Sequence, residues 1–172
     1  MGKITFILGG ARSGKSTYAL AEAKKRGSKT AFIATGEAGD DEMEERIATH
    51  KNQRPPHWQT FEEPKDIAAL INRIGNDFDC LIIDCLTLLV SNLLLAKKNA
   101  AEIEEQINAV LLSLSVIKAE VLIVSNEVGL GIVPDNKLAR NFRDIAGKAN
   151  MIAAEKSDEV FFMSAGLAVK IK

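Results

Sequence analysis

Short apolar runs alternate along the chain with longer stretches in which apolar residues recur at helical spacing. The apolar runs, which predict strands, span residues 4–8, 30–34, 80–83 and 121–125. Each is nearly all apolar, which is typical of parallel strands that are covered on both faces. The helical stretches span approximately residues 15–26, 41–51, 65–74, 86–96, 101–118 and 136–155. This order predicts an α/β fold in which helices flank a mostly parallel sheet.

The pattern changes after the last helical stretch. Two further apolar runs, at 159–163 and 167–171, are joined by Ser164, Ala165 and Gly166. A three-residue link that contains glycine is typical of an antiparallel hairpin. The sequence therefore predicts a C-terminal antiparallel hairpin, within a single domain that spans residues 1–172.

Residues 9–16 form a complete G-x-x-x-x-G-K-S phosphate loop directly after the first predicted strand. Its glycines let consecutive backbone N–H groups turn towards a polyphosphate. We expect the Lys15 ammonium to reach the outer phosphates and the Ser16 hydroxyl to ligate Mg²⁺. A chance glycine-rich turn is disfavoured because strand, loop and helix follow in the required order. The loop predicts a nucleotide enzyme with eight candidate contact residues, Gly9, Gly10, Ala11, Arg12, Ser13, Gly14, Lys15 and Ser16.

A carboxylate follows the third predicted strand. The apolar run 80–83 ends in Asp84, the position at which a phosphate-loop enzyme holds the aspartate that supports Mg²⁺. The alternative is that Asp84 caps the helix that begins near residue 86. The two roles are compatible, and Asp84 is the second candidate metal residue.

Composition limits the classes of partner. The chain has 172 residues, within the usual range for one domain, and its 22 basic and 23 acidic side chains nearly cancel. Such a chain creates no overall field that would attract nucleic acid or an anionic membrane. Residues 1–8 lack the pattern of a signal peptide, and no uninterrupted apolar stretch approaches a membrane span. We expect a cytoplasmic protein that binds no nucleic acid.

His50 lies near the end of the predicted helix 41–51, with Lys51 and Arg54 close by and Pro55 after them. A histidine on an apolar helical face is most often packed or capping. The neighbouring cations suit phosphate, however, and a neutral imidazole can attack an α-phosphorus and later be displaced. A helix C-terminus favours imidazolium, so neighbouring cations or burial would have to keep the ring neutral. His57 lacks a comparable setting and is expected to be structural.

Several segments together resemble one family. They are residues 9–16, 33–35, 40–43, His50 with Arg54, Pro55 and Trp58, and residues 126–134, 138–140, 142–147 and 169–172. The chain resembles the bifunctional adenosylcobinamide kinase/adenosylcobinamide-phosphate guanylyltransferases of cobalamin biosynthesis over its whole length. The Asn-Glu-Val-Gly segment at 126–129 and the Phe-Arg-Asp segment at 142–144 are more discriminating than the phosphate loop, which many unrelated enzymes share.

The resemblance implies two reactions in sequence. Adenosylcobinamide is first phosphorylated by ATP or GTP on the terminal hydroxyl of its aminopropanol arm. GTP then donates GMP to that phosphate, which gives adenosylcobinamide-GDP and pyrophosphate. In the family the guanylyl group passes through a histidine, and His50 matches it by its position four residues before Arg54 and Pro55.

The resemblance also implies the binding residues and the assembly. Lys15 and His50 are the catalytic candidates, and Ser16 and Asp84 are the candidates for Mg²⁺. The fold is expected to be RecA-like, and the assembly is expected to be a propeller-like homotrimer. The family's GTP contacts, carried over by motif, fall on residues 9–16 and on Ala34, Thr35, Gly36, Lys51, Asn52, Gln53, Arg54, Glu62 and Asp84.

The segment that follows the fourth predicted strand, a loop and the start of the next helix, carries further polar candidates. Asn126, Glu127, Arg140 and Arg143 are placed for corrinoid or phosphate contacts, because loops at the carboxyl ends of strands carry sites in open α/β sheets. The alternative is that the two arginines pair with Asp144 or face solvent.

Other functions remain open. A monofunctional small-metabolite kinase would share the phosphate loop but give His50 no covalent role. A RecA-like ATPase module that binds DNA or protein partners should show a basic face, and the charge here is balanced. A GTP-binding switch is disfavoured because residues 136–139 begin like Asn-Lys-x-Asp but end in alanine.

Overall fold

A computed structural model describes residues 1–37, 39, 45, 48–49, 51–52 and 54–172. The predicted helix at 41–51 lies mostly outside the described residues. The elements follow one another along the chain as β1 (Ile4–Gly9), α1 (Lys15–Ala23), β2 (Thr30–Ala34), β3 (Gln59–Glu62), α2 (Ile67–Ile74), β4 (Cys80–Asp84), α3 (Leu86–Leu95), α4 (Ala100–Ser115), β5 (Glu120–Asn126), α5 (Lys137–Lys156), β6 (Glu159–Ser164) and β7 (Leu167–Lys170).

The strands form one sheet in the order β3-β2-β4-β5-β1-β6-β7. Every neighbouring pair is parallel except β6 and β7, which are antiparallel. The predicted mostly parallel sheet with a C-terminal antiparallel hairpin is confirmed. Successive strand residues point to opposite faces of the sheet, and helices cover both faces. Phe6 packs in the larger core with α2 to α5, whereas Ile7 packs in the smaller core with α1.

Polar caps set where three of the helices begin. Asp66 accepts a hydrogen bond from the Ala69 amide before α2, and Asn136 accepts one from the Ala139 amide before α5. Asn99 and Glu102 form a reciprocal capping box at the start of α4. Such caps satisfy amides that have no partner within the helix. They explain why these helices begin one or two residues away from the predicted positions.

The prediction from sequence omitted β3. This four-residue strand pairs with β2 at the edge of the sheet, and three of its four side chains are exposed. An edge strand has one neighbour and needs no continuous apolar run, so the Gln-Thr-Phe-Glu sequence gave no strand signal.

The parallel arrangement brings several strand ends to one edge of the sheet. Asp84 pairs in register with Ala34, and Ala34 pairs on its other side with Glu62. Gly9, which begins the phosphate loop, pairs with Asn126. Strand β5 separates the phosphate loop from Asp84, and both lie at the carboxyl edge, where open α/β sheets bind ligands. None of the helices in the described ranges is long and apolar enough to cross a membrane.

Candidate active site

The phosphate loop requires glycine at two positions. Gly14 has φ +92°, a left-handed conformation that side chains rarely adopt. A Cβ atom on Gly9 would lie 2.4 Å from the Met163 carbonyl oxygen and 2.8 Å from Ser13 Oγ. The glycines therefore allow the loop to turn sharply beside β6 and lead into α1.

Lys15 is the first residue of α1, and its side chain is buried. Its Nζ donates a 2.6 Å hydrogen bond to the Gly10 carbonyl oxygen within the loop. Burial lowers the pKa of Lys15, and the nearby Cys85 and Asp84 act in the opposite direction. The ammonium is therefore held inside the loop with an acidic neighbour.

The middle of the loop has an unsatisfied hydroxyl and a tethered carbonyl. Ser13 Oγ is buried and has no hydrogen-bond partner within the described part of the chain. The Ser13 carbonyl oxygen accepts a 3.1 Å hydrogen bond from the Gly166 amide, in the turn between β6 and β7. A buried hydroxyl without a partner is costly, and a phosphate oxygen could accept a hydrogen bond from it. The loop thus fits a polyanionic ligand, with Ser16 half-buried behind Lys15.

Asp84 ends β4 and lies near two cations. Its charge acts to raise the pKa of both Lys15 and Arg54. The N-cap of α3 is Cys85 rather than Asp84, so the capping alternative is not adopted. The structure therefore brings the Asp84 carboxylate and the Lys15 ammonium together at the carboxyl edge.

Arg54 lies against an aromatic ring. Its guanidinium carbon is 3.7 Å from the centroid of Phe32, and its Nη1 donates to Thr60 Oγ1 at 3.2 Å. Burial lowers the pKa of Arg54, and Asp84 and Glu62 oppose that shift. The Nε atom is buried with no partner among the residues that the structure describes. Arg54 is therefore a fixed cation that retains an unused donor.

Glu62 and Lys51 form an ion pair beside Arg54. The hydrogen bond from Lys51 holds the pKa of Glu62 below its usual value. Both side chains are about half exposed or more, so the pair contributes little to stability. Because Glu62 pairs in register with Ala34, this ion pair lies at the strand ends. Of the other predicted contacts, Asn52 is exposed and Gly36 is half-buried.

His50 and Gln53 lie outside the described residues, and their roles stay predictions. Thr35 is fully buried, and its hydroxyl is hydrogen-bonded to the Cys85 backbone.

A buried polar network holds the end of β5. The Thr87 hydroxyl accepts a 2.6 Å hydrogen bond from the Asn126 amide and lies 2.9 Å from Ser125 Oγ. Asn150 bonds to Ser125 Oγ and donates to the Asn126 carbonyl oxygen. The Glu127 amide donates to the Gly9 carbonyl oxygen at 2.9 Å. The backbone at Asn126 and Glu127 is therefore fixed directly beside the phosphate loop.

The two arginines that follow this loop are engaged within the chain. Arg143 pairs with Asp144 at 3.1 Å, as the alternative interpretation held. Arg140 differs from that interpretation, because its Nη1 donates to the carbonyl oxygens of Pro134 and Asp135. These bonds hold the loop before α5, so neither guanidinium is wholly available to a ligand.

Sequence reasoning missed three features of this edge. The Phe32 ring beneath Arg54 and the Gly166 amide on the phosphate loop depend on which strands become neighbours. The loop after β5 also exposes large apolar side chains, with Leu130 at 80% and Ile132 at 97% exposure. An apolar cluster between loop-forming residues was the available signal for the last of these.

Comparison with known proteins identifies relatives over nearly the whole chain. Residues 5–171 match the family described as cobinamide kinase / cobinamide phosphate guanyltransferase. The bifunctional adenosylcobalamin biosynthesis protein CobP of Pseudomonas aeruginosa is 43% identical over 166 residues, which cover 96% of this chain and 95% of that protein. The bifunctional adenosylcobalamin biosynthesis proteins CobU of Salmonella typhimurium and Escherichia coli are 40% and 41% identical over 178 residues, which cover 96% of this chain and 98% of each relative.

Among solved structures, the RadB recombinase has a similar fold. It matches with a TM-score of 0.58 at 16% identity, over 94% of this chain and 74% of that chain. Similarity at this level concerns the fold alone, and it confirms the predicted RecA-like phosphate-loop architecture. The chain belongs to the cobinamide kinase / cobinamide phosphate guanyltransferase family and is an enzyme of that family.

Proposed function

We propose that this enzyme carries out two successive reactions of cobalamin nucleotide-loop assembly. It phosphorylates the terminal hydroxyl of the aminopropanol arm of adenosylcobinamide with ATP or GTP, and it then transfers GMP from GTP to the new phosphate. The proposal is supported by family membership and carried by one observation, the juxtaposition of Lys15, Asp84 and Arg54 at the carboxyl edge of the sheet. A polyphosphate needs this combination of phosphate loop, carboxylate and cations.

In the first reaction, the acceptor hydroxyl oxygen attacks the γ-phosphorus. The bond from that phosphorus to the β-phosphate oxygen breaks, the nucleoside diphosphate leaves and the hydroxyl proton passes to solvent. Catalysis of such a transfer is mostly positioning and electrostatic stabilisation. The Lys15 ammonium and the backbone amides of residues 9–16 provide both, and the unsatisfied Ser13 hydroxyl adds a donor.

Ser16 and Asp84 are the residues that would hold Mg²⁺. The ion would neutralise charge on the phosphate oxygens during transfer. Asp84 fits this role because it provides a carboxylate at the strand end beside the phosphate loop, and Ser16 fits because it follows Lys15 at the start of α1.

In the second reaction, a ring nitrogen of His50 attacks the α-phosphorus of GTP. A P–N bond forms, the P–O bond to the β-phosphate breaks and pyrophosphate leaves. An oxygen of adenosylcobinamide phosphate then attacks the same phosphorus, and the P–N bond breaks to give adenosylcobinamide-GDP. This role of His50 is supported by the sequence pattern and by family membership.

The remaining contacts to GTP are proposed for residues around the same strand ends. The Nε atom of Arg54 has no partner among the residues that the structure describes, and Lys51 brings a second cation beside it. The other proposed contacts are Ala34, Gly36, Asn52, Gln53 and Glu62.

We further propose that the enzyme is a single-domain, cytoplasmic homotrimer. A small chain with a bulky corrinoid substrate is expected to build part of its pocket between subunits. The exposed Leu130 and Ile132 are consistent with an interaction surface at this edge. Light scattering at working concentration checks the assembly, and a monomer would contradict it.

The function is tested by incubating the protein with GTP labelled in the α-phosphate and measuring the mass of the intact chain. We expect a GMP adduct that is labile to acid and stable to mild base, as a P–N bond is. GTP labelled in the γ-phosphate is the control and should leave no label. Phosphorylation of adenosylcobinamide without an adduct would indicate a monofunctional kinase. Nucleotide-dependent retention on DNA at low salt would indicate a RecA-like binding module.

A further inference from the structure

Thr35 lies one residue beyond the end of β2, and none of its surface is exposed. Its hydroxyl donates a 2.8 Å hydrogen bond to the Cys85 carbonyl oxygen and accepts one of 2.8 Å from the Cys85 amide. Its backbone amide donates to the Asp84 carbonyl oxygen at 3.1 Å. One residue therefore bonds three backbone groups of the Asp84–Cys85 segment.

Asn92 of α3 holds Thr35 from the other side. Its Nδ2 donates to the Thr35 carbonyl oxygen at 2.8 Å and to the Pro64 carbonyl oxygen at 3.0 Å, and its side chain is buried. All the polar groups of Thr35 are thus satisfied inside the protein. These bonds link the end of β2, the end of β4, helix α3 and the segment before α2.

The bonds made by the Thr35 hydroxyl act on the backbone next to Asp84 rather than within the sheet. Thr35 lies outside β2, and the backbone that its hydroxyl holds belongs to the residue directly after Asp84. Removing the hydroxyl would leave the Cys85 amide and carbonyl without that partner. A buried polar group that loses its partner carries a large penalty, so the segment would shift to regain one.

We propose that Thr35 is a positioning residue that sets the place of the Asp84 carboxylate for a divalent metal bound with the nucleotide. The inference rests on the proposed function, because it assigns the metal to Asp84. Thr35 acts through Asp84 and does not touch the metal.

The test compares three variants for binding of Mn²⁺ in the presence of GTP, measured by electron paramagnetic resonance. Thr35→Val keeps the shape and removes the hydroxyl, whereas Thr35→Ser keeps the hydroxyl. Thr30→Val is the matched control, because Thr30, the first residue of β2, is buried as Thr35 is and its Oγ1 has no partner among the described residues. Thermal unfolding of each variant is measured in parallel, and Mn²⁺ binding is measured below the transition.

Thr35→Val should bind Mn²⁺ at least roughly tenfold more weakly, since partners of a metal-binding group commonly have effects of this size. Thr35→Ser should stay within about twofold of the native protein, and Thr30→Val should be unchanged. If Thr35→Val does not fold, Thr35→Ala removes the same oxygen and carries the same expectation. A lower melting temperature with native Mn²⁺ affinity would overturn the inference, as would a Thr35→Ser variant as weak as Thr35→Val. Failure of the native protein to bind Mn²⁺ with GTP would overturn the proposed metal site as well.

Discussion

The guanidinium of Arg54 stacks on the ring of Phe32, with 3.7 Å between the guanidinium carbon and the ring centroid. Phe32 is a buried residue of β2, so the sheet itself supports a cation that comes from the segment before β3. A planar guanidinium can stack on a ring and still direct its N–H groups outwards, which an ammonium cannot do in the same way. Phe32 thereby fixes Arg54 beside Asp84 and Glu62.

The first prediction concerns this stacked pair. Arg54→Lys should weaken GTP binding by roughly fivefold, because the planar donors that the guanidinium holds in place are lost and one hydrogen bond contributes about 1 kcal/mol. Isothermal titration calorimetry with GTP measures the change. Arg73→Lys, at an exposed arginine of α2, is the control and should bind as the native protein does. Equal affinity in Arg54→Lys would contradict a nucleotide contact at this residue.

The second prediction concerns Lys15. Lys15→Ala should reduce phosphorylation of adenosylcobinamide by at least about 100-fold, because it removes a charge placed to stabilise the transferred phosphoryl group. It should also weaken nucleotide binding. Lys24→Ala, at an exposed lysine just after α1, should keep native activity. Unchanged kinase turnover in Lys15→Ala would rule out the proposed role of the phosphate loop.

The third prediction separates the two activities. His50→Asn should abolish GMP incorporation and guanylyl transfer, because the imidazole supplies the covalent intermediate. Phosphorylation should largely survive, since it depends on Lys15, Ser16 and Asp84. Tryptic mapping of the labelled native protein should locate the GMP on His50, and His57→Asn is the control. Label on Ser13, Lys15 or His57 would refute the covalent assignment while leaving the pathway intact.

The fourth prediction compares two adjacent glycines. Gly9→Ala should destabilise the fold by about 1–3 kcal/mol, the usual range for overpacking, because its Cβ would press on the Met163 carbonyl oxygen. Gly10→Ala should change stability by less than about 0.5 kcal/mol, since no atom of the described residues lies within 4 Å of a Cβ at that position. Urea unfolding of both variants measures the difference, and equal stabilities would show that β6 can move aside.

The fifth prediction concerns acid stability. Hydrogen bonds from Lys170 and Lys3 lower the pKa of Glu159 from 4.5 to about 2. A carboxyl whose pKa is lower in the folded state stabilises the fold above its unfolded pKa, and that stabilisation is lost as the pH falls towards the folded pKa. Glu159→Gln should therefore melt at a lower temperature than the native protein at pH 7, and the difference should shrink between about pH 4.5 and 2.

Melting temperatures measured across this pH range test the prediction. Glu155→Gln is the control, because Glu155 is an exposed residue at the end of α5. Its difference from the native protein should be small at every pH. A constant difference for Glu159→Gln would show that the ion pairs with Lys3 and Lys170 do not contribute.

Much of the fold could be predicted because the buried parallel strands have simple sequences. β2 was predicted with its observed bounds, and β1, β4 and β5 were short by one or two residues. Their apolar runs are needed for burial on both faces, so the pattern is strong. The ends of the strands were predicted less accurately, because β4 and β5 end in the polar residues Asp84 and Asn126, which lie outside the apolar runs.

The candidate site was predictable only where its residues are contiguous or follow a strand. The phosphate loop is one continuous motif, and Asp84 follows an apolar run. The support given to the site by Thr35, Phe32 and Gly166 was not predictable, because it depends on the neighbours β2–β3, β2–β4 and β1–β6 in the sheet. Such long-range pairings leave no periodic signal in the sequence.

The hydrogen bond from the Gly166 amide to the Ser13 carbonyl oxygen has a consequence for synthesis of the chain. The phosphate loop, which follows β1, is synthesised long before the turn that holds it, because that turn comes after β6. Strand β1 likewise has no neighbour until β5 has emerged, and its second neighbour, β6, comes later still. A nascent chain can therefore display the whole phosphate-loop sequence well before it has a completed nucleotide site. The site becomes complete only when the hairpin has emerged and paired.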